Sequence, residues 1–195
     1  MLGSHRPQLG TRPDDLMSNN ARAIADLFAT ASLGAPENAV GFVLWRVLHR
    51  YLREVDRALA ALDLTHLQFQ TLVQAAWLGR SGEAVTQAEL ARFGDIQRMQ
   101  VSLMLKALEG KGLVARVRSP SDERAKRVEV TAAGLKALRR ALPVVIEVQR
   151  SFFGEEGRPG GSLLTALLRL DGSHGTEPIG PNPVDLAPRD VGLGD

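Results

Sequence analysis

Downstream of Thr86 the hydrophobic period of the chain changes from helical to alternating and then back to helical. The capping box formed by Thr86 and Glu89 predicts the start of a short helix that ends at Gly94, because each side chain accepts a hydrogen bond from a free N–H of the first turn. A second helix is predicted from Gln97 to Lys111, just before a glycine. Two short helices joined by a glycine-containing turn are typical of a helix-turn-helix.

The alternating segment predicts a two-stranded hairpin. Apolar and polar residues alternate over 113–118 and again over 127–130, and the residues between them are turn formers flanked by basic side chains. Val128 and Val130 are expected to point inward. A basic hairpin directly after a helix-turn-helix makes a winged helix, so the predicted fold class is mainly α with a small β-wing.

Amphipathic helices are predicted on both sides of this winged lobe, because apolar residues recur there at three- and four-residue spacing. The first helix is expected over Asn20–Leu33, and a long helix is expected to begin at Pro36. A capping box at Thr65 starts the next helix, and Thr131 caps a long helix after the wing, with a bend expected at Pro143.

We expect five segments: a mobile N-terminus (1–19), N-terminal helices (20–64), the winged lobe (65–131), C-terminal helices (132–170) and a disordered, acidic Gly/Pro-rich tail (171–195).

Charge is unevenly distributed along the chain, although the formal net charge of its 195 residues is only +2. Residues 92–127, called here the basic window, contain nine Lys or Arg against four Asp or Glu, a net of +5. From residue 171 to the end, one Arg stands against five acidic residues, a net of −4. The basic window coincides with the predicted second helix and wing, which indicates a polyanionic partner.

The sequence excludes several other classes of function. It contains no cysteine, so disulfides, thiolate nucleophiles and cysteine-bound metals are ruled out. It has no nucleophile elbow, no His-Glu-x-x-His and no phosphate-binding Gly-Lys pair, and we therefore expect neither an enzyme nor a bound cofactor or metal. It also has no signal peptide and no long apolar run, so we expect a cytoplasmic protein that does not contact membranes.

The second helix of the predicted helix-turn-helix has side chains suited to the major groove of DNA. Arginine donates to both acceptors of guanine, glutamine bridges an adenine edge, and lysine contacts phosphate. In the wing, Asp122 is expected to accept hydrogen bonds from Arg124 or from turn amides and so to direct that arginine. The candidate DNA-binding residues are Thr86, Gln87, Arg98, Gln100, Ser102, Lys106, Arg118, Asp122, Arg124 and Lys126.

Three stretches of the chain together resemble the MarR family of transcriptional regulators. They are Leu-Glu-x-Lys-Gly-Leu-Val at 108–114, the Asp-x-Arg wing tip at Asp122 and Arg124, and Val-x-Val-Thr before Ala-Ala-Gly at 128–134. The resemblance covers roughly Pro36 to Leu170. It implies a homodimer whose terminal helices interdigitate and whose paired recognition helices bind a pseudo-palindromic operator in double-stranded DNA. The helix at 20–33 precedes the usual start of the family, and its apolar face is a candidate extension of the dimer interface.

The same resemblance implies an effector cleft between the helices that carry His49 and His66. Together with Trp45, Arg46 and Phe69, these residues offer aromatic walls and a cation to a small aromatic carboxylate. The alternative for each histidine is a hydrogen-bonded packing role. A zinc site built on the two histidines has little support, because no close His or Cys spacing accompanies them.

The preferred interpretation is a homodimeric, sequence-specific DNA-binding regulator, a repressor that a small effector releases from its operator. Two alternatives stay open. The lobe is a winged-helix module that binds protein rather than specific DNA, or the protein is a constitutive DNA binder with no ligand. An exposed apolar patch on the second helix would favour the protein-binding module.

Overall fold

The computed structural model describes residues 13–31, 35–82, 85–118 and 126–172. Within these ranges the chain forms long helices around a small sheet, and the predicted fold class is confirmed. The helices are α1 Pro13–Ala31, α2 Val40–Leu59, α3 His66–Leu78, α4 Gln87–Phe93, α5 Arg98–Gly110, α6 Ala132–Phe153 and α7 Ser162–Asp171. The strands are β1 Val85–Thr86, β2 Val114–Arg118 and β3 Lys126–Val130.

Both predicted capping boxes are present, and each begins a helix of the winged lobe. The Thr65 side chain accepts from the N–H of Gln68, whose own side chain reaches back to the Thr65 N–H, and α3 starts at the next residue. Thr86 and Glu89 make the same reciprocal pair at the start of α4. Side-chain oxygens thus satisfy backbone N–H groups that have no partner within the helix.

The wing is an antiparallel sheet with strand order β1-β3-β2. The predicted hairpin is confirmed, with Val114 opposite Val130. The sequence did not predict β1, in which Val85 pairs with Val128 of β3. Two residues are too short to show an alternating pattern, and β1 forms because β3 offers it an edge to bond.

The hydrophobic core lies where α3, α5 and the sheet meet. Leu72 of α3 and Leu105 and Leu108 of α5 are fully buried there. From α2, Leu59 enters the same core, as does Leu138 from α6. The helices on either side are therefore packed onto the lobe that presents α5.

The structure corrects two predicted boundaries near the N-terminus. Helix α1 begins at Pro13 rather than at Asn20. Proline and the two aspartates that follow it are favourable in a first helical turn, and this signal was missed. Pro36 does not open the long helix, because it starts a separate 3-10 turn, and Ala39 is extended before α2 begins at Val40.

The start of α6 lies close to the start of β2. Thr131 caps α6 as predicted, and its hydroxyl accepts from the N–H of Gly134 at 3.0 Å. The same hydroxyl donates to the Gly112 carbonyl at 2.7 Å. A Cβ on Gly134 would lie 2.1 Å from the carbonyl oxygen of Leu113, so only glycine fits between these segments.

Some predictions concern residues outside the described ranges. They are the mobile segment up to residue 12, the wing tip with Asp122 and Arg124, and the tail from residue 173 on. For Arg118 and Lys126 the backbone is described and the side chain is not. Across the four described ranges, each helix is too short or too polar to cross a bilayer.

Candidate nucleic-acid interface

Helix α5 buries one face and presents a polar row beside it. Val101, Leu105 and Leu108 are fully buried against the core. Arg98, Ser102 and Lys106 follow one another at four-residue spacing and so lie along one side of the helix. Arg98 and Lys106 are exposed and Ser102 is half-buried. The predicted contact residues on α5 therefore place a cation at each end of a row with a hydroxyl between them.

The outermost face of α5 also carries apolar side chains that are not among the candidate DNA-binding residues. Met99 is 75% exposed and Leu103 is 57% exposed. Gln100 lies on the other side of this pair from the Arg98 row and is half-buried. Met99 and Leu103 lie opposite the buried Val101 and Leu105 at helical spacing, and this spacing could have predicted that they are exposed. Apolar side chains on a groove-facing helix are able to contact the methyl group of thymine.

The two remaining candidates in the helix-turn-helix have partners inside the chain. The Gln87 side-chain amide donates to the carbonyl oxygen of Arg98 at 2.8 Å, which ties the first turn of α4 to the first turn of α5. The Thr86 hydroxyl and N–H both lie 2.8 Å from the carboxylate of Glu89. The Gln87 contact links α5 to α4, whereas the Thr86 contacts hold the start of α4 itself.

The hydrogen bonds to Glu89 also change its acidity. The backbone N–H of Thr86, then its hydroxyl, lower the pKa of the Glu89 carboxyl from its usual value of 4.5, and the nearby charge of Arg92 acts in the same direction. Partial burial raises the pKa; it is weaker than either hydrogen bond from Thr86 but stronger than the effect of the Arg92 charge. The carboxylate is therefore the form that the folded helix-turn-helix stabilises.

Not every cation of the basic window is available to a partner. The Lys111 ammonium lies 3.0 Å from the carboxylate of Asp63 and 3.2 Å from the side-chain oxygen of Gln68. The Arg116 guanidinium is mostly buried and lies 3.0 Å from the Glu109 carboxylate. The partner of Lys111 is distant in sequence, so no local pattern could have revealed it. Arg98 and Lys106 have no such intrachain ion pair among the described residues.

In the wing, Arg118 and Lys126 occupy opposite positions of the β2–β3 pair. They are the last and first described residues on either side of the wing tip. This register places the backbones of Arg118 and Lys126 side by side at one end of the hairpin.

The five predicted effector residues fall into two groups. Trp45, Arg46 and His49 lie on the first turns of α2. The rings of Trp45 and His49 are 4.2 Å apart between centroids, and His49 Nδ1 is 2.7 Å from the Trp45 carbonyl oxygen. Arg46 lies over the ring of Phe42 at 5.5 Å. Trp45 and His49 are exposed and Arg46 is half-buried, so this group forms an aromatic surface with one cation.

The second group, His66 and Phe69, lies on α3 and helps to hold the fold. His66 Nδ1 is 2.8 Å from the Asp56 carboxylate of α2. Phe69 is 3% exposed and belongs to the core. The structure thus separates the five residues, and His66 has the hydrogen-bonded packing role that was its alternative.

A groove of about 650 Å³ lies between α2 and α6, away from all five of those residues. Its wall is mostly apolar, and each of the two helices contributes one glutamate to the lining. Beside it the Tyr51 ring contacts Phe152 and Phe153 at 5.7 and 5.0 Å between centroids, and burial raises the pKa of the Tyr51 hydroxyl. The described lining residues are Glu54, Ala58, Pro143, Val144, Glu147, Val148, Ser151 and Phe152.

A winged helix-turn-helix with an exposed cationic row on its second helix defines a DNA-binding regulator. Comparison with known proteins supports the same class of protein. Residues 64–126 match the model of the MarR family. The regulator YdcH of Bacillus subtilis is 36% identical over 123 residues, which cover 63% of this chain and 84% of YdcH. A transcriptional repressor of Mycobacterium bovis is 32% identical over 111 residues, 57% of this chain and 77% of that protein. The chain belongs to the MarR family of transcriptional regulators.

Solved structures show the same fold. CouR of Rhodococcus jostii bound to p-coumaroyl-CoA is 27% identical, with a TM-score of 0.59 over 76% of this chain and 99% of that one. CouR bound to a 23-mer DNA duplex is 30% identical, with a TM-score of 0.61 over 72% and 97% of the two chains. These relatives are regulators, which confirms the prediction that the chain is not an enzyme.

Proposed function

We propose that this MarR-family regulator binds a pseudo-palindromic operator as a homodimer, represses transcription there, and is released by a small aromatic carboxylate. The observation that carries the proposal is the exposed row Arg98, Ser102 and Lys106 on α5, with its buried face packed on the core. A helix held rigidly on one side and cationic on the other is suited to the major groove, which is about 12 Å wide.

Within this proposal each candidate residue has a distinct role. Arg98 and Gln100, near the start of α5, read base edges, whereas Lys106 meets phosphate one or two turns further along. Ser102 serves either purpose. Gln87 holds the start of α5, and both Thr86 and Gln87 approach the phosphate backbone of the DNA from the start of α4. Arg118, Arg124 and Lys126 contact phosphate or the adjacent minor groove from the wing, and Asp122 orients Arg124.

The homodimer is proposed because one lobe reads only half of a site. Two copies of α5 related by a two-fold axis meet successive major grooves when they are about 34–36 Å apart. The 23-mer duplex that CouR binds contains about two helical turns, enough for two such contacts. In the proposed arrangement residues 65–131 bind DNA, while the helices of 20–64 and 132–170 join the subunits. Such a regulator acts in the cytoplasm, where its operator is.

Release by an effector is proposed from the exposed Trp45, Arg46 and His49 surface. An aromatic acid would stack on the Trp45 and His49 rings and place its charge near Arg46. CouR, a structural neighbour, has been solved with p-coumaroyl-CoA, the coenzyme A thioester of an aromatic acid. In the proposed mechanism the ligand binds more tightly when the two copies of α5 are out of register with DNA, and linkage then makes the ligand lower DNA affinity.

One observation favours a second candidate. Met99 and Leu103 form the exposed apolar pair that a protein-binding winged helix would present on its second helix. Two cations beside this pair make DNA the preferred partner, since apolar contacts and charged contacts combine in a major groove.

The decisive experiment is selection of bound sites from random duplex DNA by the full-length protein. We expect an inverted repeat with half-sites about one helical turn apart.

The affinity of the recovered site is then measured at two salt concentrations for the wild type, Arg98→Ala and the control Arg139→Ala, an exposed arginine on α6. We expect Arg98→Ala to lose about 1–3 kcal/mol of discrimination at one base pair per half-site and the control to be unchanged. Recovery of no sequence preference, with affinity insensitive to salt, would favour the protein-binding candidate.

A further inference from the structure

The side of α5 that points farthest from the core is apolar rather than charged. Met99 and Leu103 on this side are 75% and 57% exposed. Each of them lies two residues from the fully buried Val101, and two residues turn an α-helix by about 200°. The second helix of a helix-turn-helix lies in the major groove with its outer side toward the bases. Met99 and Leu103 therefore occupy the centre of the surface that would face the bases.

Hydrogen-bonding side chains border this apolar pair. Arg98 and Lys106 are exposed on one side of it, and Gln100 is half-buried on the other side. Like charges disfavour contact of this surface with its own copy, and the same cations favour contact with a polyanion. The neighbours of Met99 and Leu103 thus direct the apolar pair toward DNA.

Thymine is the base whose major-groove edge best matches an apolar side chain. It carries a C5-methyl group there, whereas adenine, guanine and cytosine are distinguished by their hydrogen-bond donors and acceptors. A methionine or leucine against those polar edges would displace water and offer no hydrogen bond in return, which costs free energy. Against the methyl group of thymine, the same side chains bury apolar surface on both partners.

We propose that Met99 and Leu103 are specificity-determining residues that select thymine in each half-site of the operator through its C5-methyl group. The inference rests on the proposed operator binding and adds two residues to the candidate contacts. Four residues of α-helix advance by about 6 Å, close to two base-pair steps of about 3.4 Å each. The selected thymines therefore lie within about two base pairs of each other, beside the bases that Arg98 and Gln100 read.

The test replaces thymine with uracil, which differs from it only by the absence of the methyl group. Each thymine of the selected half-site is replaced in turn by dU, at the equivalent positions of both half-sites. Binding of the full-length protein to each duplex is measured by fluorescence anisotropy. Burial of one methyl group changes affinity roughly fourfold, so with two half-sites we expect about tenfold weaker binding when the thymine facing the apolar pair is replaced.

Substitution of the two side chains should abolish this discrimination. Met99→Ala/Leu103→Ala should bind the dT and dU duplexes with affinities within about twofold of each other, because the methyl group has lost its contact. Both positions are exposed and alanine favours helix, so this variant should be as stable to denaturant as the wild type. Lys106→Ala is the matched control on the same helix. It should weaken binding to both duplexes equally and keep the wild-type ratio between them.

Three outcomes would overturn the inference while the operator proposal stands. They are a selected half-site without thymine, equal wild-type affinity for the dT and dU duplexes at every thymine of the half-site, and a wild-type ratio in Met99→Ala/Leu103→Ala. In the last case another residue reads the methyl group. If selection recovers no sequence preference at all, both the inference and the proposed function fail.

Discussion

The carboxylate of Asp56 accepts a hydrogen bond from the backbone N–H of His66 at 2.7 Å and lies 2.8 Å from Nδ1 of the same residue. Asp56 is on α2 and His66 is the first residue of α3. One acidic side chain therefore fixes the junction between the N-terminal helices and the winged lobe, and it satisfies an N–H that the helix itself leaves unpaired.

Replacing Asp56 with Ala should lower the free energy of unfolding by about 1 kcal/mol, as loss of a helix N-terminal acceptor does. Denaturant titration measures the change, and Arg53→Ala on the exposed side of α2 is the control. If Asp56→Ala is as stable as the control, the contact is not holding α3. If Asp56→Ala is fully folded and still binds the operator less tightly than the wild type, the junction also positions the winged lobe.

Gly134→Ala should destabilise the protein by about 1–3 kcal/mol or more, because its Cβ would lie 2.1 Å from the backbone oxygen of Leu113, which cannot move like a flexible side chain. Gly110→Ala is the matched control, since a Cβ there meets nothing within 4 Å. The control should be neutral or slightly stabilising. Thermal unfolding compares the two, and equal melting temperatures would contradict the close approach of α6 to β2.

Glu89 should make stability depend on pH in the acid range. Its pKa is lower in the folded protein than the usual 4.5, so the unfolded chain binds the proton first on acidification. The stabilisation is thus complete above about pH 4.5 and is lost as the pH falls through the folded pKa. Glu89→Gln should narrow the stability difference between pH 6 and pH 3, and Glu156→Gln, an exposed control, should not. Parallel pH curves for wild type and Glu89→Gln would refute this role.

Substitutions of Lys106 on α5 and of Lys111 at its C-cap should separate effects on DNA binding from effects on folding. Lys106→Ala should leave stability unchanged and reduce the salt dependence of operator binding by about one phosphate contact per subunit. Lys111→Met should lower stability and leave the salt dependence of operator binding unchanged, because its ammonium is bound to Asp63 and Gln68 within the chain. Chemical denaturation and salt-dependent titration of both variants test this. Loss of DNA affinity in folded Lys111→Met would place that lysine in the interface.

The winged lobe was predictable because its signals are local. The Thr65 and Thr86 capping boxes, the glycine stop after α5 and the alternation around Val128 act between residues close in sequence, where propensity and hydrogen bonding decide the structure. The exposed Arg98 and Lys106 follow from the same periodicity once the buried face of α5 is known. The boundaries near Pro13 and Pro36 were missed because proline favours the first turn of both α- and 3-10 helices, and it does not show how far the helix continues.

The sequence alone determined the order of the helices and of the wing hairpin, the class of the fold and the sides of α5 that carry charge. Only the tertiary structure decided which cations remain available, that β1 completes the sheet, and that His66 and Phe69 are used in packing while Trp45 and His49 stay exposed. These outcomes depend on contacts between residues far apart in the chain, such as Lys111 with Asp63 and Asp56 with His66. Chain folding sets those distances, and no local pattern encodes them.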